Sequence, residues 1–116
     1  MPVDRMERIN ELIKRQLSSI LLKEADLGHE NFVTITDVQT AADLSACTVL
    51  VTITPDDAIP HMLSRLKSMA GFLQHELNGK VIIRKIPKIR FELDTAQKKA
   101  DRIEELLEQI HKESPK

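Results

Sequence analysis

Between Lys80 and Arg90 the chain carries Lys80, Arg84, Lys85, Lys88 and Arg90 with no acidic residue among them. Cations at that density neutralise phosphates and release their counterions, which gives nucleic-acid backbone binding with a steep salt dependence. The same run also suits a solvated edge strand, where charge discourages pairing with another chain. No other constellation points to chemistry. His29, His61, His75 and His111 are scattered, without a His-Glu-x-x-His arrangement or a cysteine at ligand spacing, so each reads as a surface residue. Cys47, the single cysteine, falls on the apolar face of a predicted strand, where a thiol packs as a small hydrophobe. A glycine-rich phosphate loop is missing. The sequence therefore offers no catalytic residue, metal site or cofactor site, and it does not read as an enzyme.

The net charge is only -1, so any polyanion must meet one face rather than the whole surface. Five of the acids, Asp101, Glu104, Glu105, Glu108 and Glu113, fall together near the C-terminus, away from the basic run. With no Trp, no Tyr and three Phe, base stacking on aromatic platforms cannot dominate any nucleic-acid contact. Shape and backbone recognition is the remaining mode. A chain of 116 residues fits one domain and can bury a core without a staple. One cysteine favours a reducing compartment. No apolar run is long enough for a membrane span, and the first residues lack the apolar stretch of a secretory signal. A cytoplasmic protein with no membrane partner is the expectation. Nothing in the pattern resembles a coiled-coil seam, which leaves a monomer as the reading.

These residues need elements to position them. Met6, Ile9, Ile13, Leu17, Ile20 and Leu21 recur at three- and four-residue steps and predict an amphipathic helix, started by Asp4 with Glu7 and ended at Gly28. Asn31 to Thr40 and Ser45 to Thr54 predict two strands joined by a short antiparallel turn, with Cys47, Val49, Val51 and Ile53 on one face. Asp37 and Asp43 flank that turn, where short acidic side chains satisfy backbone. After Pro55, a second helix capped by Asp56 or Asp57 runs to about Asn78, with Met62, Leu63, Leu66, Met69, Leu73 and Leu77 inward. Gly71 inside it predicts a kink or a close backbone approach, and Asn78-Gly79 a stop. Lys80 to Asp94 predicts a third strand, with Pro87 at an edge or bulge. In that strand Arg84, Lys88 and Arg90 share one parity and project together. Ala100, Ile103, Leu106, Leu107 and Ile110 predict a closing helix. The fold class is α+β, a three-stranded sheet covered by helices in the order α-β-β-α-(kink)-α-β-α.

Several stretches in that order resemble the ribosome-binding factor A family, bacterial small-subunit assembly factors with a type II KH-like domain. They are Val33-Thr34-Ile35-Thr36-Asp37-Val38, Asp43-Leu44-Ser45, Ala70-Gly71-Phe72-Leu73, Pro87 through Asp94, and Ala100-Asp101-Arg102-Ile103. The set spans most of the chain, although no single stretch is specific. The resemblance implies association with free 30S subunits, contact with 16S rRNA near the neck and the 5′ region, support for late 16S rRNA processing, including in the cold, and release before translation.

The family resemblance also carries departures. Ordinary KH domains clamp nucleic acid with a Gly-x-x-Gly loop between two helices. The family has a helix kink instead, typically Ala-x-Gly, and here the segment is Ser68-Met69-Ala70-Gly71, with Met69 where Ala is usual. The position of Lys88 is often acidic in relatives, so the basic strand is stronger here. The chain stops soon after its last predicted helix, so any role of the tail found in longer relatives is expected to be absent. The candidate RNA-binding residues are thus Lys80, Arg84, Lys85, Lys88 and Arg90 with Ser68, Met69, Ala70 and Gly71. Arg5, Arg8, Lys14 and Arg15 read first as a solvated helix face. The alternative reading is a protein-interaction adaptor whose degenerate KH fold no longer binds RNA.

Overall fold

The computed structural model describes residues 5–24, 31–96 and 107. Helix α1 (Arg5–Glu24) comes first, then strands β1 (Phe32–Thr40) and β2 (Ala46–Thr54). A short 3-10 turn, Asp56–Ala58, leads into α2 (Ile59–Ser68), α3 (Ala70–Lys80) and strand β3 (Lys88–Leu93). The sheet order is β1-β2-β3, with β1 and β2 antiparallel and β2 and β3 parallel. Parallel strands need a crossover, and the α2–α3 pair supplies it. Helices α1, α2 and α3 pack over the shared core on one sheet face. The expected ends of the first helix at Asp4 and Gly28, and the closing helix apart from helical Leu107, lie outside the described residues.

One core joins these elements. From α1 it takes Ile13, Leu17, Ile20 and Leu21, which are the predicted stripe, and each such side chain contributes roughly 1.5–3 kcal/mol on burial. From β2 it takes Cys47, Val49, Val51 and Ile53, the alternation read from the sequence, and from the crossover helices Met62, Leu66, Leu73 and Leu77. Burial pushes the Cys47 thiol up to about 11. Between the unfolded and folded values the native state holds the proton more tightly. Stability therefore falls as pH rises from about 9 towards 11. Cys47→Ala is expected to flatten that part of a pH–stability profile measured by urea melts. In the native protein the thiol should react with a soluble disulfide reagent only when the chain opens.

Three sequence expectations are corrected. Asp56 and Asp57 do not cap α2; they form the 3-10 turn, and Ala58 occupies the cap position without a side-chain bond. The kink expected within Ser68–Gly71 is present, and it parts the span into two helices at Met69. Asn78-Gly79 does not stop α3, which continues to Lys80, because Leu77 and Val81 are both buried and hold the last turn against the core. The third strand starts at Lys88 rather than Lys80, since β2 offers ladder partners only from Ala46 onward. Segment 81–87 is irregular, so Arg84 has no strand parity to share with Lys88 and Arg90.

Two side chains pin the sheet. Gln74 of α3 reaches the outer edge of β3, where its Oε1 accepts the Ile89 N–H at 2.8 Å. At the other side β1 carries a bulge between Ile35 and Asp37. The inserted Thr36 donates from Oγ1 to Asp94 Oδ2 at 2.6 Å, and the Asp94 N–H donates to the Val51 carbonyl at 2.7 Å. Asp94 Oδ1 accepts the Ala96 N–H at 3.0 Å, the pattern of a helix N-cap ahead of helical Thr95 and Ala96. Asp94 thus ties all three strands together. Thr36→Val should cost about 1.5–3 kcal/mol, the range for a hydrogen bond to a charged group. A lowered urea midpoint at unchanged slope is the expected readout.

Candidate nucleic-acid interface

The break at Met69 organises this surface. The Met69 N–H donates back to the carbonyls of Arg65 and Leu66 at 3.0 and 3.2 Å, ending α2, while its carbonyl accepts the Leu73 N–H at 2.9 Å, starting α3. Met69 keeps φ -89 and ψ -1, in the bridge region between helix and turn. Its side chain is half-buried against the core. Met69 is therefore a packing residue within the kink, and its backbone rather than its side chain shapes the surface. Ser68 is exposed, with Oγ donating to the Arg65 carbonyl at 2.8 Å.

Gly71 is exposed, and a Cβ added there would meet nothing within 4 Å. The fold itself does not require this glycine. Gly71→Ala should raise stability by about 0.4–1 kcal/mol through the unfolded chain and the helix preference. If a ligand backbone approaches there, the same substitution should weaken its binding. A melt and a binding titration on one sample separate the two effects.

The crossover brings the kink beside the outer edge of β3. Lys67 and Ala70 line one shallow depression together with Ile89, Arg90, Phe91 and Glu92. Arg90 also lines a second depression with Lys88, Thr48 and Gln39 on the helix-free face of the sheet. The register explains the second grouping: Thr48 pairs with both Gln39 and Arg90, and Ala46 pairs with Lys88. Lys88 and Arg90 therefore project on one face, as the parity predicted, and Arg90 is the hinge between the two depressions. Its guanidinium contacts Glu92 at 3.1 Å, and both side chains are largely exposed. Such a pair is worth little and yields readily to a phosphate.

The rest of the basic run is dispersed. Lys80 ends α3 nine residues beyond Gly71, a distance of about 14 Å along the helix axis. Arg84 and Lys85 sit with Arg5 near the β1–β2 turn. There Lys85 Nζ lies 3.5 Å from the Asp43 carbonyl. The Asp43 carboxylate is held below its usual value chiefly by the Ser45 hydroxyl and then by the Ser45 N–H. The structure thus brings Arg90 to the kink, leaves Lys88 beside Arg90 on the helix-free face, and separates Lys80, Arg84 and Lys85 from them. It adds Lys67, which a sequence scan for clustered charge passes over because Lys67 and Arg90 are far apart in the chain. Among the described residues no group of three or more His, Cys, Asp or Glu side chains could hold a metal ion. No described helix is long and apolar enough to cross a membrane.

Comparison with known families decides the relationship. The family model for ribosome-binding factor A matches residues 5–107. The chain belongs to the ribosome-binding factor A family. The crystal structure of ribosome-binding factor A from Thermus thermophilus superposes with a TM-score of 0.64 at 21% identity, covering 78% of this chain and 97% of that one. A homology model of the Thermus thermophilus factor, fitted into a cryo-EM map of its complex with the 30S subunit, gives a TM-score of 0.59 at 22% identity, with 74% and 91% coverage. At such identities the likeness establishes the fold. Within the ribosome-binding factor A fold, the kink and the sheet edge described above come together through the α2–α3 crossover, as the KH-like expectation requires.

Proposed function

We propose that this protein binds the free small ribosomal subunit and supports maturation of its 16S rRNA, acting by binding rather than by catalysis. The observation that carries the reading is that Lys67 and Ala70 at the kink share a depression with Arg90, which in turn shares the adjoining one with Lys88, in a chain of the ribosome-binding factor A family. The related Thermus thermophilus factor has been fitted into a complex with the 30S subunit, which supports the same partner here. Cations without stacking aromatics suit backbone and shape recognition. The protein would hold one conformation of immature rRNA, near the neck and the 5′ region by family resemblance, and dissociate once that conformation is lost. It works as a cytoplasmic monomer, without a cofactor.

The test is co-sedimentation with purified 30S subunits, 50S subunits and 70S ribosomes across a salt series. Selective retention on 30S that declines steeply with salt is the expected result. Equal retention on all particles, or retention indifferent to salt, would refute the RNA-binding reading. A gene-deletion strain should accumulate precursor 16S rRNA, most of all in the cold; normal maturation there would refute the processing role.

A further inference from the structure

We infer that the β1–β2 turn end of the molecule carries a second docking surface, for an acidic protein segment with an apolar face. Three elements meet there: the start of α1, the turn between β1 and β2, and the irregular segment 81–87. Between them lies a groove whose floor is Met6, Ile9, Leu44 and Ile83. Arg5, Arg84 and Lys85 form its rim, and among the described residues no acidic side chain lines it. Ile82, beside Ile83 in the same wall, is 99% exposed. Asp43 adjoins Leu44 in the turn, but its carboxylate is engaged by the hydroxyl and N–H of Ser45.

The chemistry of the occupant follows from that lining. A contiguous apolar floor is a feature of protein contacts, since a phosphate backbone gains nothing from isoleucine and leucine side chains. The cationic rim then selects for carboxylates flanking the apolar anchors and disfavours basic partners. An amphipathic helix with one apolar stripe and acidic borders satisfies both conditions. Leu44 holds the turn with φ 62, so the chain tolerates a left-handed leucine where glycine would be easier. In that conformation its side chain lines the groove. None of the groove residues lines the depressions around Lys67, Lys88 and Arg90, so the surface is separate from the RNA-binding one and does not depend on that assignment.

The probe is a fluorescein-labelled synthetic helical peptide with leucine at alternating third and fourth positions, glutamate bordering that stripe, and alanine and glutamine on the remaining face. A control peptide carries serine in place of leucine. Both are titrated into the full chain, with melting curves confirming that each variant folds. The expected result is saturable one-to-one binding of the leucine peptide only. Ile82→Asp, and separately Arg84→Glu with Lys85→Glu, should weaken it at least tenfold, while Lys67→Glu leaves it unchanged. Equal binding of the two peptides, or unchanged binding by Ile82→Asp, would overturn the inference. Displacement of the peptide by a single-stranded RNA oligonucleotide would assign the groove to RNA instead. Self-association in sedimentation equilibrium that Ile82→Asp abolishes would assign it to a second copy. Either of these also overturns the proposal.

Discussion

Reversing Lys67 and Arg90 together, as Lys67→Glu with Arg90→Glu, should lower affinity for the 30S subunit on the order of 100-fold at low salt. The figure takes two charge-assisted hydrogen bonds at about 1.5 kcal/mol each. The log–log salt dependence should also become shallower by about 1.4, with roughly 0.7 for each phosphate of single-stranded RNA that is no longer neutralised. Both side chains are exposed and line one depression, so the substitutions remove charge without opening the core. Lys80→Glu is the control, because Lys80 lies at the far end of α3 from the kink. It should change affinity by no more than a few-fold through the overall field. Filter binding or sedimentation at four or five salt concentrations reads both quantities. If the control and the double variant weaken equally, binding follows net charge and the kink-and-strand surface has no special role.

Truncating Phe91 should have the largest effect on folding. Its ring is 1% exposed and is the largest of the fully buried side chains, on the inward face of β3 beneath the crossover helices. Phe91→Ala should cost about 3–5 kcal/mol, the range for deleting a buried aromatic and leaving a cavity. Domains are stable by only about 5–15 kcal/mol, so a large fraction of the total is removed. Expected readouts are a melting temperature lower by about 10–20 °C and a proportionate fall in the urea midpoint. Phe32→Ala is the counterpart: that ring is 67% exposed, and the substitution should stay within about 0.5 kcal/mol of wild type. Because β3 also carries Lys88 and Arg90, a partly unfolded Phe91→Ala protein should lose 30S binding in parallel with its fold. The Lys67→Glu, Arg90→Glu protein should bind weakly with its melting curve intact. Comparing the two separates the effect of unfolding from the effect of removing the binding charges.

The two results share one cause in the architecture. The face of β3 that packs on the core and the face that presents cations alternate residue by residue, so Ile89 and Phe91 are buried while Lys88 and Arg90 are exposed. Gln74 fixes α3 to the same strand through the Ile89 N–H. Kink, strand edge and sheet face are thereby tied to one another. Thr36 and Asp94 fix the opposite side of the sheet, which is why a single hydroxyl away from the candidate interface should still affect its stability.

Local periodicity by itself determined much of this protein. The α1 stripe of Ile13, Leu17, Ile20 and Leu21, the β2 alternation of Cys47, Val49, Val51 and Ile53, and the hairpin between the first two strands all stand as read. In each, one face must be buried and the repeat of the element decides which residues do it. The stretches around Ala70-Gly71-Phe72 and Pro87 to Asp94 also identified the family that the whole-chain comparison shows. What sequence could not determine were features set by distant partners. The start of β3 at Lys88 depends on where β2 can offer backbone groups, so residues 81–86 stay irregular although the β-branched Val81, Ile82, Ile83 and Ile86 suit a strand. Helix α3 runs past Asn78-Gly79 because Leu77 and Val81 are held by the core, and packing outweighs a local stop signal. The division of one basic run into two surfaces follows from that irregular segment, which carries Arg84 and Lys85 away to Arg5. Lys67 meets Arg90 only because a parallel β2–β3 pair needs a crossover, and the crossover folds the kink back against the sheet edge.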